Sequence, residues 1–309
     1  MKEGAIVLID CLGFKGIWQR AEPDRVLQQF EAIRERASQV VNEGIFHAHR
    51  MLGFSLQISF LSDTVAIGVS APAVQNLSSN DKGRLIHLAC IAAQKIAVDF
   101  LNMTPPLTVR GAASFGLFEL SDRFLIGPAV DEAAELHEMA DGAFLWIPPQ
   151  YIGFIVEMRV AVAQTLQRNE GTQQLLDLLV AIAHTYGGPV EAATFKERLE
   201  RLPTQKLGEV SHILREMLCD PENDWNLVRY IVPLKGRGGL ECLVVGPNVP
   251  INYPVMRKQY ESAMNGTSLD VVIKRQNTLR FLDYAHNKHV KGQQKWAEKV
   301  QVLNKAILS

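Results

Sequence analysis

Two carboxylates interrupt the most apolar stretches of this 309-residue chain. Asp10 closes the run Ile6-Val7-Leu8-Ile9, and Asp63 stands between Ile58-Ser59-Phe60-Leu61-Ser62 and Thr64-Val65-Ala66-Ile67. Short apolar, β-branched runs bounded by turn residues read as buried strands. A carboxylate at the end of such a run is costly unless something compensates it. If the strands are neighbours, both carboxylates reach one point. Oxygen ligands at one point suit a hard divalent cation, Mg or Mn, holding a substrate phosphate. Taken singly, Asp10 also fits a cap and Asp63 a hairpin turn, since aspartate is favoured at both.

The elements that must position these groups follow from hydrophobic spacing. Gly4 to Asp10 reads as a strand, and Cys11 to Gly16 as a glycine-containing turn. Val26, Leu27, Phe30, Ile33, Ala37 and Val40 recur at helical spacing after Pro23. Gly53 to Phe60 and Thr64 to Val69 form a strand pair around Leu61-Ser62-Asp63. Asp81 to Leu101 is a second helix, Leu107 to Phe118 a glycine-bearing strand, and Arg123 to Ile126 a short strand. Ala129 to Met139 is a helix, and Ala143 to Ile147 a strand closed by two prolines. This order predicts an α+β sheet with flanking helices, ferredoxin-like at its centre, over residues 1–150. Residues 151–309 read as a mostly helical region of unassigned role. It contains one β-hairpin, around Lys235-Gly236-Arg237-Gly238-Gly239. That turn can hold a phosphate, although glycine serves hairpin turns generally and a plain loop fits it better.

Composition excludes several classes. The chain is 47% hydrophobic and 21% charged, within the globular range, and its net charge of -1 offers no basic excess for nucleic acid. Cys11, Cys90, Cys219 and Cys242 are scattered without a C-x-x-C pair, which fits a reducing compartment better than zinc or a disulfide framework. No secretory signal or bilayer-length apolar run is visible. The expectation is a cytoplasmic protein with no membrane or nucleic-acid partner.

Four segments, in order, resemble the catalytic domain of class III nucleotidyl cyclases. They are Leu8-Ile9-Asp10-Cys11-Leu12-Gly13-Phe14, Phe60-Leu61-Ser62-Asp63-Thr64-Val65, the glycine-rich Leu107 to Gly116, and Gly127-Pro128-Ala129-Val130-Asp131 leading into a helix. The resemblance implies Asp10 and Asp63 as catalytic, metal-holding carboxylates. It implies the main-chain carbonyl of Cys11 as a further ligand, two divalent ions (Mn or Mg), and a homodimer with sites between chains. It also makes Leu12, Gly13 and Phe14 the turn that wraps the substrate triphosphate. Two departures stand out. The family's transition-state asparagine and arginine fall on Asp131 and Glu135, and a carboxylate opposite developing negative charge is repulsive. The purine-reading positions fall on Ser59 and Phe124.

Loss of the purine set with retention of both metal aspartates resembles the bacterial Pycsar antiphage cyclases, which make cyclic UMP or cyclic CMP. The resemblance then implies conversion of UTP to 3′,5′-cyclic UMP and pyrophosphate, with Ser59 beside the base. Arg50, Arg110 and Arg123 are candidates for the missing cation, Arg50 and Arg110 as substrate-binding groups. Cyclic CMP is the alternative product, and a degenerate cyclase-like module that senses a nucleotide is the alternative function.

Overall fold

The computed structural model describes residues 1–40, 53–72, 76–121, 124–167, 197, 201, 203, 227–246 and 253–308. The first half is built from β1 (Lys2–Leu12), a 3-10 turn (Phe14–Gln19), α1 (Pro23–Val40), β2 (Ser55–Leu61), β3 (Thr64–Ser70), α2 (Ser79–Leu101) and β4 (Thr108–Leu120). These four strands lie in the order β2-β3-β1-β4, every neighbour antiparallel. Two split β-α-β units are thereby interleaved, which is the ferredoxin-like arrangement expected from the sequence.

The chain continues through β5 (Leu125–Ile126), α3 (Pro128–Met139), β6 (Leu145–Ile147), α4 (Pro149–Gln167), β7 (Leu227–Leu234), β8 (Gly238–Val245), α5 (Tyr253–Ala263) and α6 (Leu269–Leu308). β6 runs parallel to β4, and β8 pairs antiparallel with β6 through Trp146↔Val244 and Ile147↔Leu243. The hairpin expected in the C-terminal region therefore extends the first sheet, where it satisfies the backbone groups that β6 would otherwise expose at an edge. Residues 1–157 and 225–287 form one compact unit, and 158–224 with 288–309 form another. In the second unit the described residues are mainly the C-terminal ends of α4 and α6.

Alternation along β1 sends Ile6 and Leu8 into a core with Ala129, Val130 and Ala133 of α3. Ala5, Val7 and Ile9, equally buried, point to the other face, where α2 packs on β1, β3 and β4. A second cluster joins Phe144, Trp146, Val232, Val244 and Phe281, seating the early turns of α6 on the β6–β8–β7 end of the sheet. α2 begins at a capping box in which Ser78 and Asp81 satisfy each other's backbone N–H. α3 begins at Gly127, whose φ of 131° lies where side chains are disfavoured; a Cβ there would sit 2.5 Å from the Leu117 carbonyl oxygen.

Candidate active site

β1 carries Asp10 out of the core on the same face as Ile6 and Leu8, opposite Thr64 on β3 and Arg110 on β4. One residue on, the Cys11 backbone N–H donates to the Asp63 carbonyl oxygen at 3.0 Å. That bond ties the β2–β3 turn to the end of β1. The turn itself places Ser62 at φ 61° immediately before Asp63. Burial pushes the Cys11 thiol far up, and the charges of Asp10 and then Asp63 push it further. Asp10 and the turn that bears Asp63 therefore lie at the same end of β1. Cys11 stays a neutral thiol, so its carbonyl rather than its sulfur is the group suited to a hard cation. Among the described residues no group of three or more His, Cys, Asp or Glu side chains is arranged to hold a metal. The available set is two carboxylates with main-chain oxygen, which fits Mg or Mn and not zinc.

Arg110 lies on Asp10. Its Nε and Nη2 both donate to Asp10 Oδ2 at 2.9 Å, with side-chain exposures of 14% and 19%. A largely buried carboxylate is thus neutralised by charge-assisted hydrogen bonds. Two lysines lie within electrostatic reach of Arg110: Lys235, whose turn the sequence allows as a phosphate holder, and Lys274, which the sequence does not single out. Lys235, in the β7–β8 turn, has its pKa lowered first by desolvation, then by the charges of Arg110 and Lys274, against the opposing pull of Glu138 and Asp270. Lys274, on α6, donates to Asp270 at 2.6 Å. The glycine-rich setting of Lys235 was a usable signal; Lys274, one lysine on an amphipathic helix, carried none.

Beyond Asp10 the chain turns at Gly13, φ 81°, into the 3-10 segment, where the Phe14 ring packs edge-on against Trp18 and Phe30. Arg20 closes the turn, donating to the Gly13 and Gly16 carbonyls at 3.2 and 3.4 Å. Ser59 is 5% exposed and donates to the Ser121 carbonyl at 3.5 Å. Ser121 in turn bonds the Phe124 main chain, its N–H donating to the Phe124 carbonyl at 3.0 Å. Ser59 stands in β2, two residues before its last residue Leu61, and Asp63 lies in the turn that follows. On α3, Asp131 and Glu135 are exposed. Glu132 instead turns inward and accepts from Ser114, Tyr151 and Gln150. Arg50 and Arg123 lie outside the described residues.

No family model matches the chain, and no curated protein matches it. Solved structures that it resembles include a guanylyl cyclase domain of the RhoGC fusion protein from the aquatic fungus Blastocladiella emersonii, with 13% identity over 50% of this chain and 86% of that one, TM-score 0.37. Another is the guanylate cyclase domain of RhGC from Catenaria anguillulae in complex with GTP, with 12% identity over 79% and 96%, TM-score 0.40. A bacterial light-regulated adenylyl cyclase shows 14% identity over 50% and 77%, TM-score 0.31. Nothing about substrate follows from likenesses this distant; the sheet order and the site geometry stand without them.

Proposed function

We propose that the protein is a nucleotidyl cyclase that converts UTP to 3′,5′-cyclic UMP and pyrophosphate, acting as a homodimer. The observation that supports this reading is the Cys11–Asp63 backbone hydrogen bond, which ties the turn bearing Asp63 to the end of β1, next to Asp10 and two residues before Gly13. Asp10, Asp63 and the Cys11 carbonyl would hold divalent ions, which supply charge neutralisation of the triphosphate and acidify the attacking hydroxyl. The ribose 3′-hydroxyl attacks the α-phosphorus, losing its proton as the bond to pyrophosphate breaks. Backbone N–H groups of Leu12, Gly13 and Phe14 suit the phosphate oxygens. Arg110, released from Asp10 when that carboxylate takes another partner, can turn to the reacting phosphoryl group, with Lys235 adding positive charge. Together they would do what Asp131 and Glu135 cannot.

Ser59 and the neighbouring main chain at Ser121 offer a small polar edge suited to a pyrimidine; cytidine is the second choice on the same geometry. In a dimer a second copy would bring one chain's Ser59 edge opposite the other's carboxylates. Exposed Leu117, Phe124 and Ile126 adjoin that edge and suit the contact. A role in antiphage signalling is proposed from the resemblance to the Pycsar cyclases. The Asp10–Arg110 pair also favours a second reading, a nucleotide-sensing module whose first carboxylate is permanently occupied. Incubating the protein with each of the four nucleoside triphosphates and manganese separates them. Cyclic UMP is the expected product; binding without any cyclic product would leave the sensing module.

A further inference from the structure

The Gly13 turn does not face open solvent. The end of α5 and the α5–α6 connection pass over it, and a Cβ built on Gly13 would lie 3.5 Å from both the Ala263 carbonyl oxygen and Arg20 Nη2. Between them is a cleft of about 310 Å³, lined by Leu12, Gly13 and Arg20 on one side and Met264, Asn265 and Lys274 on the other. Its volume is at the low end for small-ligand sites, which run from about 300 to 1,000 Å³. Two of these lining residues are cations, and the cleft begins two residues after Asp10.

The position of Lys274 is fixed from the sheet. One turn further along α6, Thr278 is fully buried and its Oγ1 accepts from the Ala143 N–H at 2.8 Å, while Asn277 donates to the Asp141 carbonyl at 2.8 Å. Arg275 donates to the Met264 carbonyl at 3.2 Å and holds the connection closed over the turn. The Lys274 side chain is 18% exposed, and its ion-pair partner, Asp270, is 67% exposed. An ion pair with so exposed a carboxylate is weak and readily exchanged. Arg20 uses two of its five N–H groups on carbonyls, leaving others for a ligand.

We propose that this cleft is the subsite for the terminal phosphates of the substrate, and that the C-terminal helices complete it in cis, with Lys274 and Arg20 as the phosphate-binding cations. The inference rests on the nucleotide reading above and adds a role for the α5–α6 segment. The ligand chemistry is a condensed phosphate, either the tail of a nucleoside triphosphate or free pyrophosphate. In the absence of ligand Lys274 rests on Asp270; in its presence the ammonium transfers to phosphate oxygen.

The test is calorimetric binding of tripolyphosphate and of pyrophosphate, each with magnesium, to the full chain and its variants, alongside the cyclisation assay. Lys274→Gln and Arg20→Gln should each weaken tripolyphosphate binding about tenfold or more, and Lys274→Arg should restore most of it. Asp270→Asn, which frees the lysine, should tighten binding. Tripolyphosphate bound much more tightly than pyrophosphate assigns the cleft to the triphosphate tail; equal affinities assign it to the pyrophosphate product as well. Unchanged affinity in Lys274→Gln and Arg20→Gln, with circular dichroism unaltered, overturns the inference even where the enzyme makes cyclic product. Tripolyphosphate binding that depends on Lys274 in a protein making no cyclic nucleotide would sink the cyclase reading and leave the subsite standing.

Discussion

At the scale of single residues, the site is decided by which charge stands next to Asp10. Arg110 does so with two donors on one oxygen. Replacing it by alanine removes both the partner of a largely buried carboxylate and the proposed counter-charge for the reacting phosphate. Arg110→Ala should lower kcat by roughly 10²–10³, with a smaller loss of stability. A variant retaining full turnover would show that Arg110 serves Asp10 alone. Asp63→Ala, at a half-buried turn position, should abolish cyclic product and leave the thermal midpoint within a few degrees; full activity in that variant would refute the metal assignment. The same turn tests its own backbone. Ser62 has a left-handed φ of 61°, which costs an L-residue roughly 1–2 kcal/mol, so Ser62→Gly should raise stability by about 1 kcal/mol in urea unfolding. Asp10 and Asp63 were legible in the sequence because a carboxylate is conspicuous within apolar strand patterns. The Arg110 pairing was not legible, since it depends on a β1–β4 register that no local pattern specifies.

At the scale of elements, α3 shows how a helix can keep its place in the fold while its surface chemistry departs from the resembled family. Asp131 and Glu135 face outward; between them Glu132 is gripped by Ser114, Tyr151 and Gln150. This network, with the Gly127 approach to Leu117, fixes the helix against β4. Tyr151→Phe removes a hydrogen bond to a charged acceptor and should cost about 1.5–3 kcal/mol, read as a shift in urea midpoint without a change of base preference. The helices, strands and central sheet order of the first 150 residues could be anticipated because their hydrophobic periods are regular and their breaks carry Gly or Pro. The incorporation of β7–β8 into the same sheet could not. Its apolar strands fit a free-standing hairpin equally well, and only the open edge of β6, about eighty residues earlier in the chain, decides between them. Lys274 was hidden for a related reason. A lysine on the polar side of a helix reads as solvated until the turn it covers is known.

At the scale of the whole molecule, buried acids and thiols set the pH range of stability, and an apolar edge bears on assembly. Burial raises Cys90 and Cys242 from 9.0 to about 12, and Tyr260 from 10.0 to about 12. Each folded pKa exceeds its unfolded value, so the unfolded chain sheds these protons first. The stability they contribute is complete below about pH 9 and is lost as pH climbs toward 12. The thermal midpoint should therefore fall steeply above pH 9, and a flat profile to pH 11 would show that the thiols are not enclosed as described. Among the described residues no helix is long and apolar enough to cross a membrane. Apolar residues are exposed on the β4–β5 hairpin. Leu117 is 46% and Ile126 54% exposed. Ile126 pairs with Glu119, two residues from Leu117, so both side chains share one face of the β4–β5 hairpin. That hairpin adjoins Ser59 through Ser121. If sites form between two chains, a charge at this face should separate the copies and remove turnover together, without unfolding either. Ile126→Asp should elute as a monomer by size-exclusion chromatography with an unchanged circular dichroism spectrum and little cyclase activity, and high protein concentration should recover part of that activity. A monomeric Ile126→Asp protein with undiminished activity would mean that one chain reads the base and holds the triphosphate by itself.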